Sequence, residues 1–141
     1  MIQDHLRVLR KSDMKVVVIG AGLAGSEAAL QLAKKGIEVD LYEMRPENTT
    51  GAHKTEKPAE LVCSNSLGSN DVLVASGLLK QELRVLDSEL IKAADETAVP
   101  AGNALAIDRE LFSSKIEEKI KLNPKINFIR KEIKANEHNC I

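Results

Sequence analysis

Six residues, Gly20-Ala21-Gly22-Leu23-Ala24-Gly25, form a G-x-G-x-x-G run, and Glu43 follows 18 residues after its last glycine. This spacing suits the binding of a dinucleotide. Gly20 permits a tight turn, Gly22 lets the backbone approach a pyrophosphate, and Gly25 lets a helix pack closely on a strand. The pyrophosphate would meet free N–H groups and the positive end of the helix dipole. Glu43 would accept hydrogen bonds from ribose hydroxyls. Its charge would repel a 2′-phosphate, so NADP is disfavoured at this position. The spacing does not choose between FAD and NAD.

The motif needs a strand before it and a helix after it. Val16, Val17, Val18 and Ile19 run unbroken into Gly20, as expected of a parallel strand covered on both faces. A helix is predicted over 23–35, with Ala24, Ala28, Ala29, Leu32 and Ala33 as a smooth packing face and Gly36 ending it. A second strand is predicted over 37–42, with Val39 and Leu41 on one face. Together these make a βαβ unit with a right-handed crossover.

Beyond it, residues 44–70 read as a long loop, which in a compact domain is functional or disordered. A single helix is predicted over 71–95, on the periodicity of Leu79, Leu83, Leu86 and Leu90, capped by Asn70 or Asp71. Pro100, Gly102 and Asn103 mark a turn. A short strand follows over 104–107, a helix from Asp108 to about Lys121 with Asp108 as cap, and a last strand over 126–129.

Composition excludes several roles. The chain has 141 residues, 20 Lys+Arg against 21 Asp+Glu, and 2% aromatics. No global basic field draws in a polyanion, and too few rings are present to stack single-stranded bases. No apolar run approaches a membrane span. The two cysteines make neither a disulfide framework nor a metal site, and the N-terminus is no secretory signal. A reducing cytoplasmic setting follows.

Residues 18–46, VIGAGLAGSEAALQLAKKGIEVDLYEMRP, resemble the N-terminus of the folate- and FAD-dependent tRNA uracil-5-methyltransferases. The likeness continues through AELVCSNSL (59–67), LDSELIKAADETAVPAG (86–102) and ALAIDRELF (104–112). The flavoprotein subunit that modifies the wobble uridine of tRNA has a related fingerprint and ranks second, because CSNSL is not recognised there. A stand-alone, non-catalytic dinucleotide-binding module is a further reading.

The resemblance implies an α/β, Rossmann-like FAD-binding domain of the glutathione-reductase type, of which this is the N-terminal portion. Residues 1–13 then read as an extension, 14–133 as the first half of the FAD domain, and 134–141 as a polar tail at a truncation. Such a chain is expected to bind FAD poorly alone and not to turn over. The implied reaction forms 5-methyluridine in the T loop of tRNA, with 5,10-methylenetetrahydrofolate and NAD(P)H as co-substrates of the flavoprotein. By similarity, Gly20, Ala21, Gly22, Leu23, Ala24, Gly25 and Glu43 are FAD contacts. Arg45 adds a cationic contact, and Ile133 a backbone contact to adenine. Arg109 is a candidate for a flavin phosphate or the folate, with a surface ion pair as the alternative. Cys63, in CSNSL, is the candidate catalytic residue, either near the flavin or the uracil, or else a buried structural thiol. Asn103 departs from the glycine the family pattern leads one to expect after VPAG. His53, Lys54 and Lys57 form a small basic cluster that either contacts tRNA phosphate or lies solvated in the loop.

Overall fold

A computed structural model describes residues 14–134. Among these residues six strands and four helices follow one another: β1 (Lys15–Ile19), α1 (Leu23–Lys34), β2 (Glu38–Glu43), β3 (Ser66–Ser69), α2 (Ala75–Val85), α3 (Glu89–Glu96), β4 (Ala98–Val99), β5 (Ala104–Ile107), α4 (Arg109–Leu122) and β6 (Ile126–Arg130). The readings for residues 1–13 and for the tail from 135 lie outside the described residues.

β1, β2 and β6 form a parallel sheet with β2 in the middle. The expected βαβ unit is therefore present, and the α/β class holds. The central place of β2 explains its alternation. Val39, Leu41 and Glu43 are buried on one face, while Glu38, Asp40 and Tyr42 are more open. β1 differs from expectation. It pairs with β2 alone, and Val17 and Ile19 are 42% and 50% exposed. Its β-branched run is suited to burial on both faces, but among the described residues only one face is covered.

The core lies between this sheet and α1, α3 and α4. Ala29, Leu30 and Ala33 of α1 meet Ile116 and Ile120 of α4 together with Leu41 and Ile126. Ala29 and Ala33 of the expected packing face allow that close approach, whereas Ala24 and Ala28 are exposed and Leu30 is buried. Gly36, at φ +82°, ends the helix, and its N–H donates to the Ala33 carbonyl at 2.8 Å.

Predicted as one helix over 71–95, that stretch is two. The chain turns at Leu86-Asp87-Ser88, where Asp87 takes φ +61°. Ser88 begins α3, its Oγ accepting the Ile91 N–H. The leucine periodicity hides the break because both segments are helical and amphipathic. The start moves too. Val74 is the first cap residue of α2, and the Asp71 side chain instead accepts the Leu73 N–H in a tight turn. A Cβ at Gly77 would stand 1.8 Å from the Asp71 carbonyl oxygen. That contact sets the rotation of α2: Gly77 and Lys80 face inward, while Leu78 and Leu79 are about half exposed.

β3, β5 and β4 make a second, antiparallel sheet. β3 lies inside the stretch expected to be loop, and its four residues, Ser-Leu-Gly-Ser, carry little strand propensity. Pairing with the apolar β5 holds it, and Lys80 reinforces it. The Lys80 Nζ donates to the Leu67 carbonyl at 2.8 Å and to the Ser76 carbonyl at 2.7 Å, tying β3 to α2. Burial, followed by the charge of Arg84, lowers the Lys80 pKa. α4 begins as predicted, with Asp108 Oδ1 accepting the Leu111 N–H at 3.0 Å.

Candidate functional site

The glycine loop connects β1 to α1. Gly20 takes φ +93°, a region costly to side chains, and its N–H donates to the Tyr42 carbonyl at 2.8 Å. A Cβ at Gly25 would lie 1.8 Å from the Gly20 carbonyl oxygen and 3.4 Å from Val18 Cγ1, so only glycine allows this helix to sit against its strand. Gly22 is different. A Cβ there would meet nothing within 4 Å, and its φ of −70° is ordinary. Its lack of a side chain serves the space in front of the loop. No side chain caps α1, and its first turn holds no acidic residue. Free N–H groups at a helix start, with open space before them, suit a phosphate-bearing ligand.

Ala21 is fixed on both sides. Its N–H donates to Glu43 Oε2 at 2.9 Å, and its carbonyl accepts the Ala59 N–H at 2.8 Å and Ser26 Oγ–H at 3.1 Å. The loop that follows β2 thus folds back onto the glycine loop. Glu43 is 4% exposed. Its Oε1 accepts Arg45 Nε–H at 2.7 Å and the Arg45 backbone N–H at 3.2 Å. Three of about four lone-pair directions are therefore taken, leaving one on Oε2.

Arg45 has a different job from the cationic cofactor contact expected of it. It is 1% exposed, and its Nη1 donates to Glu60 Oε2 at 2.9 Å and to the Thr55 carbonyl at 3.2 Å. Glu60 in turn accepts the backbone N–H groups of Lys54 and Thr55. The buried chain Glu43–Arg45–Glu60 ties down residues 44–60, part of the stretch over 44–70 expected to be a long loop. Burial pushes the Glu43 carboxyl up, but the hydrogen bonds from Arg45 and from the Ala21 backbone outweigh it and hold the pKa below the usual carboxylate value. Glu60 is lowered in the same sense: burial opposes it, and the Lys54 and Thr55 N–H groups and the Arg45 charge prevail. Glu60 carries no sequence signal of this role, since its partner stands 15 residues away inside an irregular loop.

The other candidates fall elsewhere. Cys63 is exposed and free, so the buried structural thiol is excluded. Leu23 and Ala24 are exposed at the start of α1. Ile133 is half-buried just past β6, whose Arg130 pairs in register with Glu43, so it lies at the same end of the sheet as the glycine loop. Arg109 makes no ion pair among the described residues, and its Nη1 donates to the Leu61 carbonyl at 3.2 Å. With Lys54 and Lys57 it lines a cleft of about 310 Å³. His53 pairs with Thr50 at 2.7 Å. Asn103 is exposed, its carbonyl accepting the Asn70 N–H. Among the described residues no group of three or more His, Cys, Asp or Glu could hold a metal ion, and no helix is long and apolar enough to cross a membrane.

Residues 15–139 match the family described as glucose inhibited division protein A. The chain belongs to this family. Within it, the chain is 60% identical over 119 residues to the methylenetetrahydrofolate--tRNA-(uracil-5-)-methyltransferase TrmFO of Persephonella marina, covering 84% of this chain and 27% of that protein. It is 59% identical over 118 residues to the protein of the same name from Bacillus subtilis strain 168, with the same coverage. The resemblance read from CSNSL and its flanking segments is thereby borne out. The chain spans about 27% of the length of these relatives. Among solved structures, CtdE in complex with FAD and substrate 4 is 18% identical with a TM-score of 0.46, covering 82% of this chain and 30% of that one.

Proposed function

We propose that residues 14–133 are the FAD-binding first half of a flavoenzyme that methylates uridine at C5 in the T loop of tRNA, working within a longer protein in a reducing cytoplasm. The observation that carries the reading is the glycine loop: an uncapped helix start with open space before Gly22, held in shape from behind by Glu43. The high identity to proteins named as uracil-5-methyltransferases supports the substrate class. When bound, FAD supplies electrons from NAD(P)H to reduce the one-carbon unit that 5,10-methylenetetrahydrofolate delivers.

The chain's own residues bind and orient. Leu23, Ala24 and Gly25 present N–H groups to the pyrophosphate, and the open Oε2 position of Glu43 accepts one ribose hydroxyl. Ile133, at the same end of the sheet, offers backbone groups to adenine. Exposed Cys63 is the candidate to attack, or exchange a proton with, the uracil ring.

The test is a chimera. Residues 14–133 replace the matching segment of the Bacillus subtilis relative, and flavin content and methyl transfer to tRNA are measured. A yellow chimera that methylates tRNA is the expected result. A correctly folded chimera that takes up no flavin would overturn the reading.

A further inference from the structure

The cleft beside α4 shares no residue with the glycine loop. Leu61 and Val62 give it an apolar wall, and Lys54, Lys57 and Arg109 all line it. Most lysines and arginines of the described residues sit in ion pairs, from Lys15 on β1 to Arg130 on β6. Lys54, Lys57 and Arg109 sit in none. The side-chain partners of Lys57 and Arg109 are neutral: Lys57 Nζ donates to Ser114 Oγ at 2.8 Å, and Arg109 Nη1 to the Leu61 carbonyl.

Two carboxylates also line the cleft. Glu60 is committed to Arg45 and to the Lys54 and Thr55 N–H groups. Glu110 is the uncommitted opposing charge. Three cations against two carboxylates leave the cleft lining positive, and concave walls concentrate such a field. An arginine fork beside two lysine point charges matches the oxygens of a phosphate group. A volume of about 310 Å³ is that of a small-ligand site.

We propose that this cleft binds a phosphate group, carried on a small molecule or on the backbone of RNA. The RNA source rests on the function proposed above; the small-molecule source does not.

The experiment titrates the 141-residue chain with inorganic pyrophosphate and, separately, with a fluorescein-labelled oligouridylate. Variants are Lys54→Ala with Lys57→Ala, Arg109→Gln, Glu110→Gln, Gly22→Val and Lys35→Ala, each checked for fold by circular dichroism. Lys35 is an exposed cation outside the cleft. At least one probe binds, the Lys54/Lys57 and Arg109 variants weaken it severalfold, Glu110→Gln tightens it, and Lys35→Ala leaves it unchanged. Binding of pyrophosphate identifies a small-molecule site. Binding of the oligonucleotide alone, with the salt slope falling by about 0.7 per cation removed, identifies RNA. The proposal fails if neither probe binds, or if Lys35→Ala weakens binding as much as the cleft variants do. It also fails if Gly22→Val abolishes binding and the cleft variants do not, a result that would leave the glycine-loop reading standing.

Discussion

Glu43 Oε2 accepts the backbone N–H of Ala21 at 2.9 Å, joining the end of β2 to the turn that precedes α1. The carboxylate therefore shapes the glycine loop whether or not a ligand is present. Its other oxygen holds Arg45, which also serves Glu60. Removing one member strands the others in a buried place. Glu43→Gln puts an amide N–H against a guanidinium or against the Ala21 N–H. We expect a loss of about 3 kcal/mol, the lower end for breaking a buried pair, because Arg45 keeps Glu60. Arg45→Met leaves two buried carboxylates without a cation and should cost more, about 3–5 kcal/mol. Urea unfolding followed by circular dichroism measures both, and a loss under 1 kcal/mol for Arg45→Met would show that the buried chain contributes little.

The same carboxylates set the response to acid. Glu43 and Glu60 both have folded pKa values below their usual value. A depressed pKa contributes stability that is full above the unfolded value, about 4.3, and is lost as pH falls through the folded value. The melting temperature should therefore hold steady above about pH 5 and drop as pH falls below about 4.3. Arg45→Met removes a charge that favours ionisation, which raises the folded pKa values toward the unfolded one, so its melting temperature should fall less steeply with acid than the parent's. Calorimetry from pH 3 to 7 decides, and identical profiles for the two proteins would refute the assignment.

The glycines of the loop should separate folding from binding. Gly25→Ala places a methyl 1.8 Å from the Gly20 carbonyl oxygen, so the helix must move off its strand. We expect a lower melting temperature and lost flavin binding together. Gly22→Ala meets no protein atom within 4 Å at an ordinary φ. It should leave the melting temperature within a degree or two and weaken flavin binding alone. Thermal melts beside flavin fluorescence titrations of the chimera read both, and equal melting losses for the two variants would contradict this division.

How far the sequence foretells such detail depends on how local the cause is. The βαβ unit, Gly36 and the Asp108 cap were legible because each rests on neighbours within a turn or a strand. The break at Asp87 was not, because helical periodicity runs straight through it. What stabilises the break comes from α1: Glu27 Oε2 accepts Leu90 N–H at 2.8 Å and Ser88 Oγ–H at 3.0 Å, and Oε1 accepts Glu89 N–H at 3.1 Å. A carboxylate sixty-odd residues away thus caps α3. The burial of Arg45 was hidden in the same way, since its second partner, Glu60, lies within an irregular loop.

Glu27→Ala tests that distant cap. It leaves the first N–H groups of α3 with Ser88 alone and removes a negative charge from the positive end of the helix. The cost should be about 1–2 kcal/mol. Glu27→Gln keeps an acceptor and should lose less. Denaturant unfolding of both variants, in that order of damage, is the expected result; equal stability of Glu27→Ala and the parent would remove Glu27 from this role.

Cys63 closes the set because its exposure makes it testable without assuming a mechanism. It is the free thiol of the described residues, in a non-helical segment beside Ser64, Asn65 and Ser66. Ser64 Oγ accepts the Ser66 N–H at 2.9 Å, so the turn around the thiol is held by its neighbours and not by the sulfur. Replacing the sulfur should therefore leave the fold intact. In a Cys140→Ala background the native chain should react with one equivalent of a thiol reagent, and Cys63→Ala should melt within a degree or two of the parent. If Cys63 attacks or exchanges a proton with uracil, Cys63→Ala in the chimera removes methyl transfer while flavin content stays unchanged. Cys63→Ser separates these two possibilities. A hydroxyl is a far weaker nucleophile than a thiolate at neutral pH, so partial activity in the serine variant favours proton exchange, and complete loss favours attack. Full activity in Cys63→Ala would show that this exposed thiol takes no part in the reaction.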